Sequence, residues 1–440
     1  QGRLSIRSST QVPFLTRLEV ARVFALDETK VRVFCERVGG GFGAKQEMMV
    51  EDIAALAALK TGKPVKIEFT REEQFVAATT RHPMKVSVKI GAKKDGTLTA
   101  IQMHVISNTG AYGNHGAPVL EHACSESISV YRCAHKKVDG YAVYTNTVPA
   151  GAFRGYGLPQ TSFAIEQAID EVARMLGIDA IEFRRRNVVR EGEPMIGAHV
   201  SPDDVLYGSY GLDQCLDLVD KTMKRDDGEA PPRGWAVGEG IALTMIDTVP
   251  PGGHYSDTHI WLAADGTFAM TIGTAEFGNG TSTVHRQIAA SVLNAKPAQI
   301  LFTQSDTDHG GHDTGAYGST GTVIAGRATQ LAAESLRETL FTFGAAHSRC
   351  DRDACKLANG AMICDGKPIA LTELHKAALT AGIDLSAHGK ANGIPRSVAF
   401  NVQGFRVARE PGQRRNQNPQ ERAGRRCRHR HQSDAMPRAN

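Results

Sequence analysis

Four glycine-rich segments punctuate the 440-residue chain, and they limit what it can fold into. The first, Gly39-Gly40-Gly41-Phe42-Gly43, ends the alternating run KVRVFCERV and precedes QEMMVEDIAALAALKTG, where Met49, Ile53, Leu56 and Leu59 recur near helical spacing. The second, GAFRGYG at 151–157, stands before PQTSFAIEQAIDEVARML, with Pro at a helix start and an apolar stripe of Phe163, Ile165, Ile169, Val172 and Leu176. EFGNG at 276–280 follows the strand pair HIWLAADGTFAMTIG, which turns on Asp265-Gly266, and leads into STVHRQIAASVLN. TGAYGSTG at 314–321 joins QILFTQSDTD to AGRATQLAAESLRETLFTF. Strand, glycine loop and helix recur. That pattern implies an α+β architecture whose loops let the backbone approach a large ligand.

Between these segments the pattern is mostly that of strands. Residues 1–43 read as alternating strands, and the first glycine loop reads as opening the helix that follows and stops at Gly62-Lys63-Pro64. KPVKIEFTREEQF and MKVSVKIGAKKDGTLTAIQMHVISN read as two or three antiparallel strands with a hairpin at Asp95-Gly96. RDDGEAPPRG at 225–234 is the best linker. The expected units are therefore 1–224, the linker 225–234, 235–408 and a terminal tail, 409–440.

The formal net charge of +4 invites a nucleic-acid reading, which its distribution removes. The tail holds nine Arg and no Lys against Glu410, Glu421 and Asp434, a net of +6, which leaves the body at −2. The tail also has no Leu, Ile, Val, Phe, Tyr or Trp and cannot bury enough apolar surface to order itself. It reads as disordered and as an out-of-frame product. No run approaches a membrane span and no signal peptide is visible, so a cytoplasmic chain is expected. The eight cysteines show no CxxC pair. Cys350, Cys355 and Cys364 cluster, but no His or fourth Cys completes a standard zinc spacing.

Backbone N–H groups at glycine loops and helix N-termini form anion sites, so several such loops point to an anionic cofactor. The familiar nucleotide motifs fail, since GGGFGAKQ is neither G-x-G-x-x-G nor a P-loop. Asp306, Asp308, His309, His312 and Asp313 offer five ligands within eight residues, which taken alone suggests a metal-dependent hydrolase. Neither HExxH nor GxSxG occurs.

Taken in order, SSTQ at 8–11, GGGFGAKQE at 39–47, RHP at 81–83, GAFRGYGLPQ at 151–160, EFGNG at 276–280 and TGAYGST at 314–320 resemble the molybdenum-binding large subunit of the xanthine dehydrogenase and aldehyde oxidase family. The resemblance runs to about Ala408. It implies two molybdopterin-binding domains of mixed sheets and helices, the first incomplete at its N-terminus and the second truncated. The cofactor it implies is molybdenum held by the dithiolene of a pterin, with no direct protein ligand. The pterin phosphate, often extended by a nucleotide, is held largely by backbone amides. Gln11 would hydrogen-bond an oxo ligand of the metal, Gly41, Phe42 and Gly43 would lie beside it, and Arg154 would hold the cofactor nearby. Gly278, Asn279, Gly318 and Ser319 fall where the second domain contacts the pterin, with Asn279 replacing the family's usual Gln.

The implied chemistry is hydroxylation of an electrophilic carbon with oxygen from water, electrons leaving through 2Fe–2S clusters to FAD. No flavin or iron–sulfur motif is visible, so those centres are expected on partner subunits, in a dimer of heterotrimers. The family's general-base Glu lies in a GxGE segment absent from this sequence, so no catalytic residue is assigned and the chain is not expected to catalyse alone. The competing reading is a non-catalytic remnant that binds cofactor or partner subunits only. Substrate contacts fall to Gln46, where purine hydroxylases carry Glu, to His122, near a family Arg, and to Tyr156, where the family often has a Phe. Gln46 has a second reading as a cap of the helix after the loop, and His122 as a structural residue.

Overall fold

Pro13 settles how the N-terminal segment folds. In the computed structural model, which describes residues 2–196, 205–225, 230–247, 253–358, 360–393 and 396–410, two short strands, β1 (Leu4–Arg7) and β2 (Val31–Phe34), flank a helix, α1 (Pro13–Val23). The strands pair in parallel, a geometry that needs a crossover, and Pro at the first helical turn starts one. The expectation of alternating strands throughout 1–43 therefore gives way to strand, helix, strand.

The glycine loop does not open its helix directly. α2 (Glu51–Thr61) begins after the turn-rich stretch 44–50 and ends, as its sequence suggests, on Gly62 in the left-handed conformation. Its expected apolar face is reversed: Ile53, Leu56 and Leu59 are exposed, while Glu51 and Ala55 are buried. Glu51 goes inside because its carboxylate accepts hydrogen bonds from Ser8 Oγ and from the amides of Met49 and Val50. KPVKIEF forms no strand, and REEQF lies in a short helix, α3 (Arg71–Ala77), held by a capping box between Thr70 and Glu73 that outcompetes strand pairing.

β3 (Met84–Ala92) and β4 (Leu98–Gly110) form the expected hairpin, with Gly96 at φ +87°. α4 (Gly116–Ser129) carries the chain across to β5 (His135–Tyr144), parallel to β4. α5 (Leu158–Leu176) packs on β3, α6 (Ala180–Asn187) touches both α5 and α7 (Leu212–Met223), and the short β6 (Val205–Leu206) lies between α6 and α7 in the chain. β7 (Ala236–Asp247) follows the linker, of which 226–229 lie outside the described residues. The first core joins Ile101, Met103 and Val105 of β4 to Ile165 and Ile169 of α5, Phe183, Leu216, and Leu243 and Met245 of β7. Phe163, read as part of the buried stripe, is exposed.

The second core is built on a four-stranded sheet in the order β10–β9–β8–β14. β8 (Tyr255–Leu262) and β9 (Phe268–Ile272) turn on Asp265-Gly266, and α8 (Thr281–Val292) leads to β10 (Ile300–Gln304), parallel to β9. α9 (Gly326–Ser348), β11 (Cys355–Ala358), β12 (Ala361–Cys364), β13 (Lys367–Ala370), α10 (Leu371–Thr380) and β14 (Ser386–Asn392) complete it. β14 runs so close to α9 that a Cβ on Gly389 would lie 2.2 Å from the Ala328 carbonyl oxygen.

The chain then returns to the first core. β15 (Arg396–Arg409) pairs antiparallel with β7, and its Val398 and Val402 are buried with the first set. The architecture is α+β, with mixed sheets and helices in two packed units. Residues 411–440 of the Arg-rich tail lie outside the described residues.

Candidate cofactor site

Gln11 is the hinge on which the distant loops meet. Its side chain is buried, with Nε2 donating to the Ala316 carbonyl at 2.7 Å and Oε1 accepting from the amides of Gly43 at 3.0 Å and Lys45 at 3.4 Å. Its backbone bonds Lys45 and Ala316 as well. The loops at 39–45 and 314–317 are thereby locked together. Gly41 has to be glycine here, because a Cβ would lie 2.5 Å from Gln11 Oε1. Gly43, at φ +88°, sits against the backbone of Phe153 and so brings in the loop at 151–157. Val38 donates to the Glu276 carbonyl at 3.1 Å, and Gly321 abuts Thr281, which adds the loop at 276–280.

Four segments remote in sequence therefore face one region, and their backbones carry unused donors. Among the described residues, the amides of Gly41, Phe42, Asn279, Gly318 and Ser319 donate to no protein atom. Phe42, Tyr156 and Ser319 hold positive φ of +55°, +45° and +59°, a strained conformation for non-glycine residues that concentrates at ligand sites. Glu276 stiffens the third loop. Burial pushes its carboxyl up, but N–H donors from Ser282, Gly278 and Gly280 at 2.8–3.2 Å prevail and hold it low. Since Glu276 already takes the Ser282 amide in the first turn of α8 and the amides of Gly278 and Gly280 before it, an anion is left to the exposed amides of Asn279, Gly318 and Ser319. Asn279 accepts from Phe277 N and Thr281 Oγ1. Unpaired amides set in glycine loops are the donor set that a phosphate-bearing pterin requires.

Around the loop at 151–157 lie the remaining residues. Arg154 is exposed, and its guanidinium makes no hydrogen bond or ion pair among the described residues; Arg81 donates to its carbonyl at 2.7 Å and stacks on Phe153. Gln46 lies beside Gly43, and its side-chain amide makes no hydrogen bond among the described residues. It does not cap α2, whose N-cap is Val50. Tyr156 is wedged edge-on between His115 and His122, its hydroxyl 2.6 Å from His115 Nδ1, and burial pushes that phenol above its usual value.

Several further residues at the site carried no sequence signal of their own. The side chain of Glu47, next to Gln46, is buried; Oε1 accepts from Ala152 N at 2.8 Å and lies 3.6 Å from His115, while Oε2 has no partner among the described residues. His115 is held below its ordinary value by burial, against the pull of Glu47. His122 does not point free N–H groups outward. Nδ1 lies 3.1 Å from the Tyr156 carbonyl, and Nε2 lies 2.6 Å from Glu126 and 3.7 Å from Asp247.

Burial disfavours the His122 cation, but the two carboxylates outweigh it and raise its pKa to about 9; burial also pushes Glu126 up to about 7. A raised pKa contributes stability that is complete below the unfolded value and lost as pH climbs through the folded one. For His122 that window runs from its ordinary 6.5 to about 9. Wild-type protein is expected to lose about 3 kcal/mol between pH 6.5 and 9.5 through this residue, and His122→Asn to flatten that slope. Denaturant midpoints across that range check it, and a flat wild-type profile refutes it.

The metal-hydrolase reading is overturned. Arg32 pairs with Asp306 at 2.5 Å and Asp308 at 3.5 Å, and Arg3 also pairs with Asp308. Asp313 turns to Gly315 N, and His312 packs edge-on against Phe14. Guanidinium groups sit where a divalent cation would have to, and these residues form no metal-holding group among the described residues.

Two family models, each described as a molybdopterin cofactor-binding domain, match residues 1–188 and 214–412. The chain is 41% identical over 350 residues to "Probable hypoxanthine oxidase XdhD" of Escherichia coli K12, a match spanning 78% of this chain and 36% of that protein. It is 39% identical over 217 residues to the nicotinate dehydrogenase large molybdopterin subunit of Eubacterium barkeri, spanning 49% and 50%. The chain thus matches a third to a half of the length of these relatives. In fold it is similar to quinoline 2-oxidoreductase from Pseudomonas putida 86, with a TM-score of 0.82 at 24% identity over 92% of this chain and 55% of that one. Among the described residues, no helix is long and apolar enough to cross a membrane. Glycine loops with unpaired amides, two matched cofactor domains and this similarity agree, and the chain belongs to the molybdenum-binding large subunits of the xanthine dehydrogenase and aldehyde oxidase family.

Proposed function

We propose that this chain is the molybdopterin-binding part of an enzyme that hydroxylates a carbon of an N-heteroaromatic, purine-like compound or an aldehyde with oxygen from water. Electrons pass to 2Fe–2S and FAD centres on partner subunits, in a dimer of heterotrimers. The observation that carries the reading is the convergence of loops at 39–43, 151–157, 276–280 and 314–321 around amides left without partners. The relatives' printed names, a hypoxanthine oxidase and a nicotinate dehydrogenase, favour an N-heteroaromatic substrate.

In this reading Gly41, Phe42, Asn279, Gly318 and Ser319 offer amides to the pterin and its phosphate or nucleotide, with Gly43 and Gly278 giving the backbone room to approach. Arg154 adds a charged donor. Ala316 takes one N–H of Gln11 Nε2, and the second remains for an oxygen of the cofactor. The bound cofactor supplies the two-electron oxidation. Gln46, able to donate and accept at once, reads the edge of a heterocycle, and the Tyr156 ring supplies a face for it. His122 acts from behind, fixing Tyr156 through its carbonyl. His115, with Glu47 beside its other ring nitrogen, holds the Tyr156 hydroxyl, which restrains the ring.

The test is loading. Chain expressed with its partner subunits in a molybdate-fed host is expected to carry about one molybdenum and one pterin per copy, read by elemental analysis and by pterin fluorescence after acid release. Insertion of 18O from labelled water into a heterocycle is expected only when a segment carrying the family's GxGE glutamate is supplied to the complex. Folded protein free of both metal and pterin overturns the reading.

A further inference from the structure

Cys350, Cys355 and Cys364 lie apart from the glycine loops, and the fold brings them together. Cys355 Sγ is 2.8 Å from Cys364 Sγ and 3.7 Å from Cys350 Sγ, and all three sulfurs lie within 4.8 Å of one another. Each is placed by a rigid element. Cys355 and Cys364 are directly opposed across the β11–β12 pair, and Cys350 follows the end of α9, where Arg349 turns left-handed and Cys350 N donates to Ala345 O at 3.1 Å. Cys355 and Cys364 are buried and Cys350 is half-buried. Gly344 of α9 closes the other side, since a Cβ there would come within 3.1 Å of Cys364 Sγ.

Beside Cys355 opens a cavity of about 390 Å³ whose wall also carries Glu338, Asp353, Arg337 and Arg352. A disulfide would use two of the sulfurs and leave the third unexplained. A zinc-type ion bound at about 2.3 Å from each sulfur in tetrahedral array spaces them by about 3.8 Å, close to the Cys350–Cys355 separation. Cys364 would turn on binding to open the shorter pair to the same distance.

We propose that Cys350, Cys355 and Cys364 bind one thiophilic d10 cation of the zinc type as three thiolates, with a fourth, exchangeable position turned to the cavity. Each thiol releases its proton to solvent on binding, so three neutral thiols and a dication become a site of net charge −1. Because each thiol must lose its proton to bind the ion, binding strengthens as pH rises. The ion ties the C-terminal end of α9 to the β11–β12 hairpin. The site carries no redox or catalytic role and is independent of the molybdopterin reading.

The test uses the reduced, metal-free full chain titrated with Cd²⁺ and then Zn²⁺. A sulfur-to-cadmium charge-transfer band is expected to saturate at one equivalent, and Zn²⁺ to abolish it. Cys350, the half-buried thiol of the three, is expected to become protected from a thiol reagent, and the unfolding temperature to rise with Zn²⁺. Cys350→Ser, at the half-buried position, is expected to weaken binding at least tenfold without lowering the metal-free unfolding temperature. Cys133→Ser, elsewhere in the chain, is expected to bind as wild type. Titration of Cys350→Ser indistinguishable from wild type, a Cys350 thiol equally reactive with and without saturating Zn²⁺, or a Cys355–Cys364 disulfide in mass spectra of protein kept under reductant would each overturn the proposal.

Discussion

Replacing Arg184 by methionine is expected to lower the unfolding free energy by about 3–5 kcal/mol, because it leaves buried carboxylates without their cation. The Arg184 side chain is fully buried, with Nε donating to Glu166 at 3.0 Å, Nη1 pairing with Asp170 at 2.7 Å and Nη2 donating to the Ile241 carbonyl at 2.8 Å. Glu166 also accepts from Tyr131 Oη at 2.5 Å and Leu243 N at 2.8 Å, so one guanidinium joins α5, α6 and β7. Burial already pushes the Glu166 carboxyl above its usual value, and the Arg184 charge restrains that rise. Without it the carboxyl rises further. Stability linked to a raised carboxyl is present at low pH and lost as pH increases, so the variant falls further behind wild type at pH 8 than at pH 5. Glu166→Gln in the same chain is expected to recover part of the loss. Urea midpoints of the three proteins decide it, and a shift below about 1 kcal/mol for Arg184→Met sinks the argument.

Gly41→Ala is expected to reduce bound pterin at least tenfold, while Gly39→Ala, two residues away, loads normally. Neither residue has positive φ, so backbone strain does not separate them. Space does: a Cβ at Gly41 meets Gln11 Oε1 at 2.5 Å, whereas nothing lies within 4 Å of one at Gly39. Gln11 must move, which strands the amides of Gly43 and Lys45 and the carbonyl of Ala316, at about 1–3 kcal/mol for each buried group left unsatisfied. The loops at 39–45 and 314–317 then separate, and the amides facing the cofactor lose their common aim. Pterin released per chain, with circular dichroism to confirm folding, measures the effect. Equal loading of the two variants would remove Gln11 as the organiser of the site.

Much of the fold was legible because its signals are local. Asp95-Gly96 and Asp265-Gly266 turn hairpins, and Gly62 ends its helix in the left-handed conformation, each within a few residues of the cause. The periodicity of α5 places Ile165 and Ile169 inside. Faces were harder to read. Ile53, Leu56 and Leu59 fall on one side of α2, but which side is buried depends on what packs there, and Glu51 won that place through hydrogen bonds to Ser8 and two amides. Within Arg184-Arg185-Arg186, helical rotation sends only the first into the core.

The site divides the same way. Glycine spacing marks where the backbone can approach a ligand, because freedom from a Cβ belongs to the residue itself. Which donors stay unpaired, and which charges are already consumed, depends on partners that the chain brings from afar. Asp306 meets Arg32, His122 meets Asp247, Glu47 meets His115, and three cysteines with no standard spacing meet at one point. Local turn and helix chemistry was written in runs of a few residues, whereas pairing, burial and the shared aim of the loops arose only when segments hundreds of residues apart were packed against one another.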